Sequence, residues 1–325
     1  ASGGRRGRLL APRLVTSQAL PLVAGLAPGQ APPGGTRRRL HRRVVRTLRH
    51  RLPPSARGGI VRHPWPGFQA APPPHREDPM LDRPMPTPAA PTTDPFALAK
   101  ALSGHHFIGG GYVPARSGGS FAVVNPATGV EVARAAEGDA ADVDAAVQNA
   151  AAAQKAWAKV PARKRGAMVH ACAALLKEHQ EELAKLIALE TGKALRTESR
   201  VEAGVVADIF EFFGGLGSEL KGESVPFAPN VLSVTVREPL GVVGAIIPWN
   251  VPMLLMALKV APALVAGNTV VVKSAEEAPL AVLRICELMN RLLPPGCFNM
   301  LSGMGPECGA PLVSHPLVRK VTFTG

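Results

Sequence analysis

The sequence predicts an α/β protein: a mostly parallel β-sheet with flanking helices, incomplete at its carboxyl end, behind a disordered tail rich in Arg and Pro. Three observations carry this. After about residue 231, short β-branched runs alternate with amphipathic helical stretches, which is the pattern of βαβ units. Gly and Pro stand at the junctions, where turns need them. Charge also divides the chain. Residues 1–79 hold fifteen Arg, no Lys and only Glu77 and Asp78 as acids, whereas residues 80–325 hold 22 basic and 22 acidic residues.

The net charge of +13 therefore belongs wholly to the tail. A neutral body has no electrostatic footprint for a polyanion, so no nucleic-acid partner is expected. Within residues 1–98, Arg37-Arg38-Arg39, Pro72-Pro73-Pro74 and Pro84-Met85-Pro86 keep no helical or strand period, and prolines interrupt every candidate element. Arg5-Arg6-Gly7-Arg8 before the apolar stretch 14–27 has the outline of a signal peptide, but Arg13 and Pro21 break it and no clean cleavage site follows. An Arg excess without acids also fits an organellar transit peptide or a nucleic-acid arm. The plainer account is a disordered tail, or sequence upstream of a start at Met80 or Met85, because composition licenses disorder and little more.

Cys172, Cys286, Cys297 and Cys308 lack metal-type CxxC spacing and are too few for a disulfide framework. No metal is expected, and a reducing, cytoplasmic compartment is. The longest apolar run, 252–267, is broken by Lys259 and Pro262 and is too short to span a bilayer, so no membrane partner is expected either. Apolar residues make up 46% of the chain but aromatics only 4%, so the core must rest on Ala, Val, Leu and Ile.

From residue 105 to residue 325 the elements follow in order. Phe107 to Val113 and Ser120 to Asn125 suggest short strands around a glycine turn, and Asn125-Pro126-Ala127-Thr128-Gly129 is a turn. Asp139 suits the cap of a helix through Val143, Val147, Ala150 and Trp157. Pro161 suits the first turn of the next, with Met168, Cys172, Leu175 and Leu176 facing inward. A third helix begins near Glu181 and closes at Thr191-Gly192, where glycine adopts the left-handed cap; a fourth spans about 197–216. Strands are then expected at 231–236, 242–247, 269–273, 298–301 and 321–324, with helices at 252–266, 280–292 and 306–314. Right-handed crossovers leave a ligand crevice at the carboxyl ends of such strands.

Four strand ends carry polar or glycine-rich turns. In Ile246-Ile247-Pro248-Trp249-Asn250, the Asn250 amide is placed either to donate to a charged oxygen or to cap the helix beginning near Pro252. Lys273-Ser274-Ala275-Glu276 is either a grip for a ribose diol or a solvated charged turn. Gly303-Met304-Gly305-Pro306-Glu307-Cys308-Gly309 allows close approach of a phosphate, but its GxGxxxG spacing departs from the usual dinucleotide fingerprint. Val321-Thr322-Phe323-Thr324-Gly325 is a strand leading into a glycine turn where the chain stops, an end that looks arbitrary.

Taken together, the motifs resemble the aldehyde dehydrogenase superfamily. They are Asn125-Pro126-Ala127-Thr128-Gly129, Leu189-Glu190-Thr191-Gly192-Lys193, Pro248-Trp249-Asn250, Ala261-Pro262-Ala263-Leu264 with Ala266-Gly267-Asn268-Thr269, and Phe323-Thr324-Gly325, in family order from about Phe107 to the last residue. The resemblance implies a Rossmann-like, NAD-binding first domain and a second domain that supplies a cysteine nucleophile. An aldehyde adds to that thiolate, Asn250 steadies the oxyanion, hydride passes to the nicotinamide, and a glutamate-activated water hydrolyses the thioester. Ile246, Ile247, Pro248, Trp249, Lys273, Glu276, Gly305, Gly309 and Gly325 match cofactor-contacting positions, with Glu276 the ribose acid that favours NAD over NADP. Lys259 matches a family lysine near the active site, as a proton relay or as a structural pair. Ser274 stands where the family often has proline. The family's glutamate base and cysteine nucleophile fall beyond the Phe-Thr-Gly turn, so this chain is expected to be a fragment, inactive alone, with none of its four cysteines as substitute. A small aldehyde substrate and a homodimer or homotetramer are expected for the full-length member. Two other classes compete: a non-catalytic nucleotide-binding or interaction half-domain, and an Arg-rich nucleic-acid binder.

Overall fold

The computed structural model describes residues 94–325, and within them Asp94 caps the first helix, α1 (Pro95–Leu102). Asp94 Oδ1 accepts the amide of Phe96 at 2.9 Å, and Leu98, Ala99 and Leu102 are buried. The expected tail boundary at residue 98 is thereby corrected, since 94–98 belong to the folded body. Proline acts here as a helix starter: at the first turn its missing N–H forfeits no bond and its fixed φ suits the helix. The other expectations for the tail concern residues 1–93 and lie outside the described residues.

Two hairpins follow. β1 (His105–Ile108) and β2 (Gly111–Pro114) turn through Gly109 and Gly110, both at positive φ. β3 (Ser120–Asn125) pairs antiparallel with β4 (Val130–Ala136) across the turn 125–129. The sequence does not announce β4, because its alanines and charged residues have weak strand propensity and its partner supplies the structure.

Helix α2 (Ala140–Trp157) opens with a reciprocal capping box: Asp139 accepts the amides of Ala141 and Asp142, and Asp142 accepts that of Asp139. α3 (Ala162–Glu178), α4 (Gln180–Thr191) and α5 (Arg200–Gly215) come next, with a wide π-type turn at Leu195–Ser199 leading into α5. Gly192 ends α4 at φ 72°, and a Cβ there would stand 2.8 Å from Pro126 Cγ, so the turn 125–129 is seated against the end of α4.

The later strands are β5 (Ser224–Ala228), β6 (Val231–Val234), β7 (Val242–Ile246), β8 (Thr269–Lys273), β9 (Phe298–Leu301) and β10 (Val318–Phe323). Between them lie α6 (Pro252–Val265), α7 (Leu280–Asn290) and α8 (Ala310–Ser314). The main sheet has the order β10-β7-β8-β9-β1-β2; β10, β7, β8 and β9 are parallel, and β1 and β2 extend the sheet antiparallel. Val243, Ala245, Val270 and Val272 pack in the cluster with α6, α7 and the α3–α5 layer behind them, whereas Val242, Val271 and Leu301 pack with α2 and α8. Alternate residues thus bury on both faces, as a parallel sheet requires. The chain steps from β7 through β8 to β9 and then returns to the far side of β7 for β10, which puts the topological switch point between β7 and β10.

The strand expected at 231–236 does not join this sheet. Among the described residues β6 pairs only with β5, and Phe227, Leu232 and, just past β6, Val236 are 78%, 83% and 75% exposed. Its β-branched pattern is the same as a core strand's, but among the described residues no layer covers it. Among the described residues no helix is long and apolar enough to cross a membrane.

Candidate functional site

The parallel strands remain hydrogen-bonded past their ends, which fixes four turns side by side. Ile247 N donates to Lys273 O at 3.2 Å, Thr324 N to Ile246 O at 3.1 Å, and Ser274 N to Leu301 O at 3.0 Å. After β7, Ile247 is buried, Ile246 and Pro248 are half-buried, and Trp249 and Asn250 are exposed. Helix α6 has Val251 at its N-cap and no side-chain cap there. Its Met253 and Leu254 amides donate instead to Glu202 Oε1 at 3.0 and 3.2 Å. Asn250 therefore does not cap the helix, and it stands exposed at the strand ends.

After β8, Lys273 is buried and its Nζ lies 3.1 Å from Glu276 Oε2, whose side chain remains 39% exposed. Burial pushes the Glu276 carboxyl up, but hydrogen bonding to its own backbone N–H and to the Lys273 ammonium outweighs burial, so it lies below the ordinary carboxylate range and stays ionised. Glu276 lines a cleft of about 580 Å³ with Trp249, Met304, Glu277, Glu190, Thr191 and residues of β3. A cleft of this size accommodates part of a dinucleotide.

After β9, a π-type turn at Gly305–Gly309 runs into α8. A Cβ on Gly305 would meet nothing within 4 Å, and one on Gly309 only Ile246 Cδ1 at 3.9 Å. Neither glycine is demanded by the protein's own packing, which fits a backbone kept bare for a ligand. Gly325 follows Thr324 at the end of β10, beside β7 and thus at the switch point.

Lys259 lies apart from the Glu276 cleft. Its Nζ donates to Thr324 Oγ1 at 2.7 Å and Thr322 Oγ1 at 3.3 Å, and it lines a second depression with Arg237, Asn268 and Lys320. Burial lowers its pKa below the ordinary lysine value. The four cysteines are free and buried. Burial pushes the thiols of Cys172, Cys297 and Cys308 up to about 12 and that of Cys286 well above its ordinary value, so all four are held as thiols.

A model of the aldehyde dehydrogenase family matches residues 112–325. The chain belongs to the aldehyde dehydrogenase family. Solved structures of similar fold agree. A crystal structure of a putative aldehyde dehydrogenase from Burkholderia cenocepacia is 40% identical with a TM-score of 0.67, covering 69% of this chain and 46% of that one. HpcC from Thermus thermophilus is 37% identical with a TM-score of 0.68, covering 71% and 45%. Betaine aldehyde dehydrogenase from Staphylococcus aureus, solved in complex with NAD+, is 36% identical with a TM-score of 0.69, covering 71% and 46%. The chain thus spans less than half the length of each of these three proteins.

Within this aldehyde dehydrogenase fold several family motifs are structural supports. Asn268 accepts the amide of Gly241 at 3.1 Å and donates to Ala263 O at 3.2 Å, tying the start of β7 to the end of α6. Glu190 accepts the amides of Leu280 and Ala281 at 2.7 and 2.9 Å, and Lys193 forms an ion pair with Glu202. The roles of Glu190 and Glu202 are not anticipated from residue type. A signal was present, however: Glu190 falls on the apolar stripe of Leu183, Leu186 and Ile187, and Glu202 on that of Val206 and Phe210. An acid on a buried stripe must have donors waiting for it.

Proposed function

We propose that this chain forms the dinucleotide-binding part of an oxidoreductase that oxidises an aldehyde to a carboxylic acid with NAD, in preference to NADP. The observation that carries the reading is Glu276: ionised, partly exposed, steadied by Lys273 and set in a cleft at the carboxyl ends of a parallel sheet. Such an acid accepts from both hydroxyls of a ribose and repels a phosphate at the 2′ position. Ile246, Ile247, Pro248 and Trp249 form the β7 wall, Gly305 and Gly309 leave backbone bare for the diphosphate, and Gly325 closes the β10 side. NAD supplies the hydride acceptor when bound. Asn250 donates its amide to a carbonyl oxygen that gains charge during attack, an interaction worth about 3 kcal/mol in the transition state. Lys259, on two threonine hydroxyls, serves the β10 strand rather than a proton relay.

Covalent catalysis needs a thiolate beside Asn250, and the four thiols of this chain are buried and protonated. The 325-residue chain by itself is therefore proposed to bind the cofactor without oxidising aldehydes, which is the non-catalytic nucleotide-binding reading of the same site. A small aldehyde is the proposed substrate of the whole enzyme. The free cysteines suit a reducing, cytoplasmic compartment. The bare apolar hairpin β5–β6 suits a homodimer or homotetramer.

The test uses two proteins: this chain, and this chain joined to the remaining length of the S. aureus relative. NADH absorbance with a panel of aldehydes should rise only for the joined protein, and calorimetry should detect NAD binding to both. Turnover by the short chain that is lost on mutating Cys308 or Cys286 would overturn the proposal, as would no NAD binding by either protein.

A further inference from the structure

Helices α6 and α7 begin directly after the turns that carry Asn250 and Glu276, and neither has a side-chain cap of its own. An uncapped, buried helix start leaves amide donors that must be satisfied from elsewhere. Here the acceptors come from other helices. Glu190, at the end of α4, receives Leu280 N on Oε2 and Ala281 N on Oε1. Glu202, in the first turn of α5, receives Met253 N and Leu254 N on Oε1. Both carboxylates are buried, at 2% and 4% exposure. Lys193, one residue past the cap of α4, forms an ion pair with Glu202 and so links the two supports.

We propose that Glu190 and Glu202, joined through Lys193, are positioning residues that hold the two functional turns of the cleft, Glu190 fixing the turn of the ribose acid Glu276 and Glu202 fixing the turn of Asn250. The part concerning ligand affinity rests on the cofactor reading above; the mechanical part does not. Side-chain oxygens that accept the orphan amides of a helix start are favourable, and an acid borrowed from a neighbouring helix does what a local cap cannot. It ties the start of the crossover helix to the layer behind it, so the turn is anchored on both sides. The strand ladder holds one end and the borrowed acid holds the other. Glu190 also lines the cleft that Glu276 lines, so the anchor is in the wall of the site and not remote from it.

The test is made on the full 325-residue chain with Glu190→Gln and Glu202→Gln, which preserve volume but turn one oxygen into an amide donor. Glu190→Ala and Glu202→Ala form a harsher pair. Amide hydrogen exchange is read by mass spectrometry at a temperature where all variants remain folded. Glu190→Gln should speed exchange in 274–281 and leave 247–254 protected, and Glu202→Gln should do the reverse. A merely global loss of stability would raise exchange throughout, and that pattern overturns the proposal, as does unchanged exchange in both turns. Calorimetric titration with AMP then separates positioning from packing. Glu190→Gln should weaken AMP about tenfold, as loss of a buried hydrogen bond allows, approaching the loss seen in Glu276→Gln. AMP affinity within twofold of the unmutated chain, despite faster exchange at 274–281, would also overturn it. If the unmutated chain binds neither AMP nor NAD, the cofactor reading fails, and the exchange pattern still decides the anchors.

Discussion

A carboxylate that grips a diol cannot spend all its acceptor capacity on the protein, and Glu276 meets that condition, holding Lys273 on one oxygen and leaving much of its side chain in the cleft. Glu276→Gln should raise NADP affinity relative to NAD by about tenfold, because the repulsion of the 2′-phosphate goes while the ribose loses one charged acceptor. Competitive titration of the two dinucleotides measures it, and an unchanged ratio would count against the assignment. The cysteines give a second residue-scale expectation. With thiols pushed to about 12 and no solvent access, Cys172, Cys297 and Cys308 should react with a disulfide reagent at neutral pH far more slowly than the same chain in denaturant. A fast-reacting thiol in the native chain would mark an exposed cysteine and refute this. The placement of Asn250 and Glu276 in turns at strand ends was legible in the sequence. Residue chemistry was not legible where function came through burial. The sequence alone left Asn250 between cap and oxyanion donor, and Glu202, 48 positions away, removes the cap by taking the helix amides.

At the scale of elements, the parallel strands and their crossover helices fall where the periodicity puts them, because each buries a continuous apolar run with Gly or Pro at its ends. The elements missed are those stabilised from outside: α1, started by a proline; β4, held by β3; and β5, held by β6. Packing between helices adds constraints that no period announces. A Cβ on Gly166 of α3 would stand 2.5 Å from Gly214 O of α5 and 2.9 Å from Gly217 Cα. Gly166→Ala should therefore destabilise the fold by about 1–3 kcal/mol despite alanine's better helix propensity. Urea unfolding checks this, and an unchanged midpoint would show that the two helices separate freely. The anchor on α7 carries a pH signature. Burial pushes Glu190 up to about 8, opposed by its two amide donors and reinforced by Glu202. Unfolded glutamate titrates near 4.3, so between about 4.3 and 8 the folded state holds a proton that the unfolded state lacks. The stability this group contributes is full below the unfolded value and is lost as pH rises through about 8. The slope is at most about 1.4 kcal/mol per pH unit. Unfolding free energies from pH 5 to 8.5 should fall more steeply for the unmutated chain than for Glu190→Gln, and parallel profiles would remove Glu190 as the source.

At the scale of the whole molecule, the chain presents two unlike surfaces. One is the cleft at the carboxyl ends of β7, β8 and β9, where Glu276 and Glu277 stand among apolar residues. The other is the hairpin β5–β6, where Val225, Phe227, Val231, Leu232, Val234 and the adjoining Val236 are all at least 40% exposed and, among the described residues, the strands pair only with each other. A two-stranded ribbon in water is marginal without a covering layer. Unpaired edges with apolar side chains on both faces invite another chain to supply that layer. A second copy is the partner proposed, since each copy brings the same ribbon and a two-fold contact satisfies both at once. A standard interface hides about 800 Å² per partner, and six large side chains with their neighbours supply a sizeable share of it. Phe227→Lys with Leu232→Lys puts two like charges on the ribbon of every copy, which repel across a two-fold contact while leaving the sheet and the cleft untouched. Light scattering on the size-fractionated protein should give a multiple of the 33.9 kDa chain mass before the change and a single chain after it. AMP affinity should stay within twofold, because no residue of the ribbon lines the cleft. A single-chain mass for the unmutated protein at tens of micromolar, or a multiple that survives both lysines, would show that the ribbon is not where copies meet.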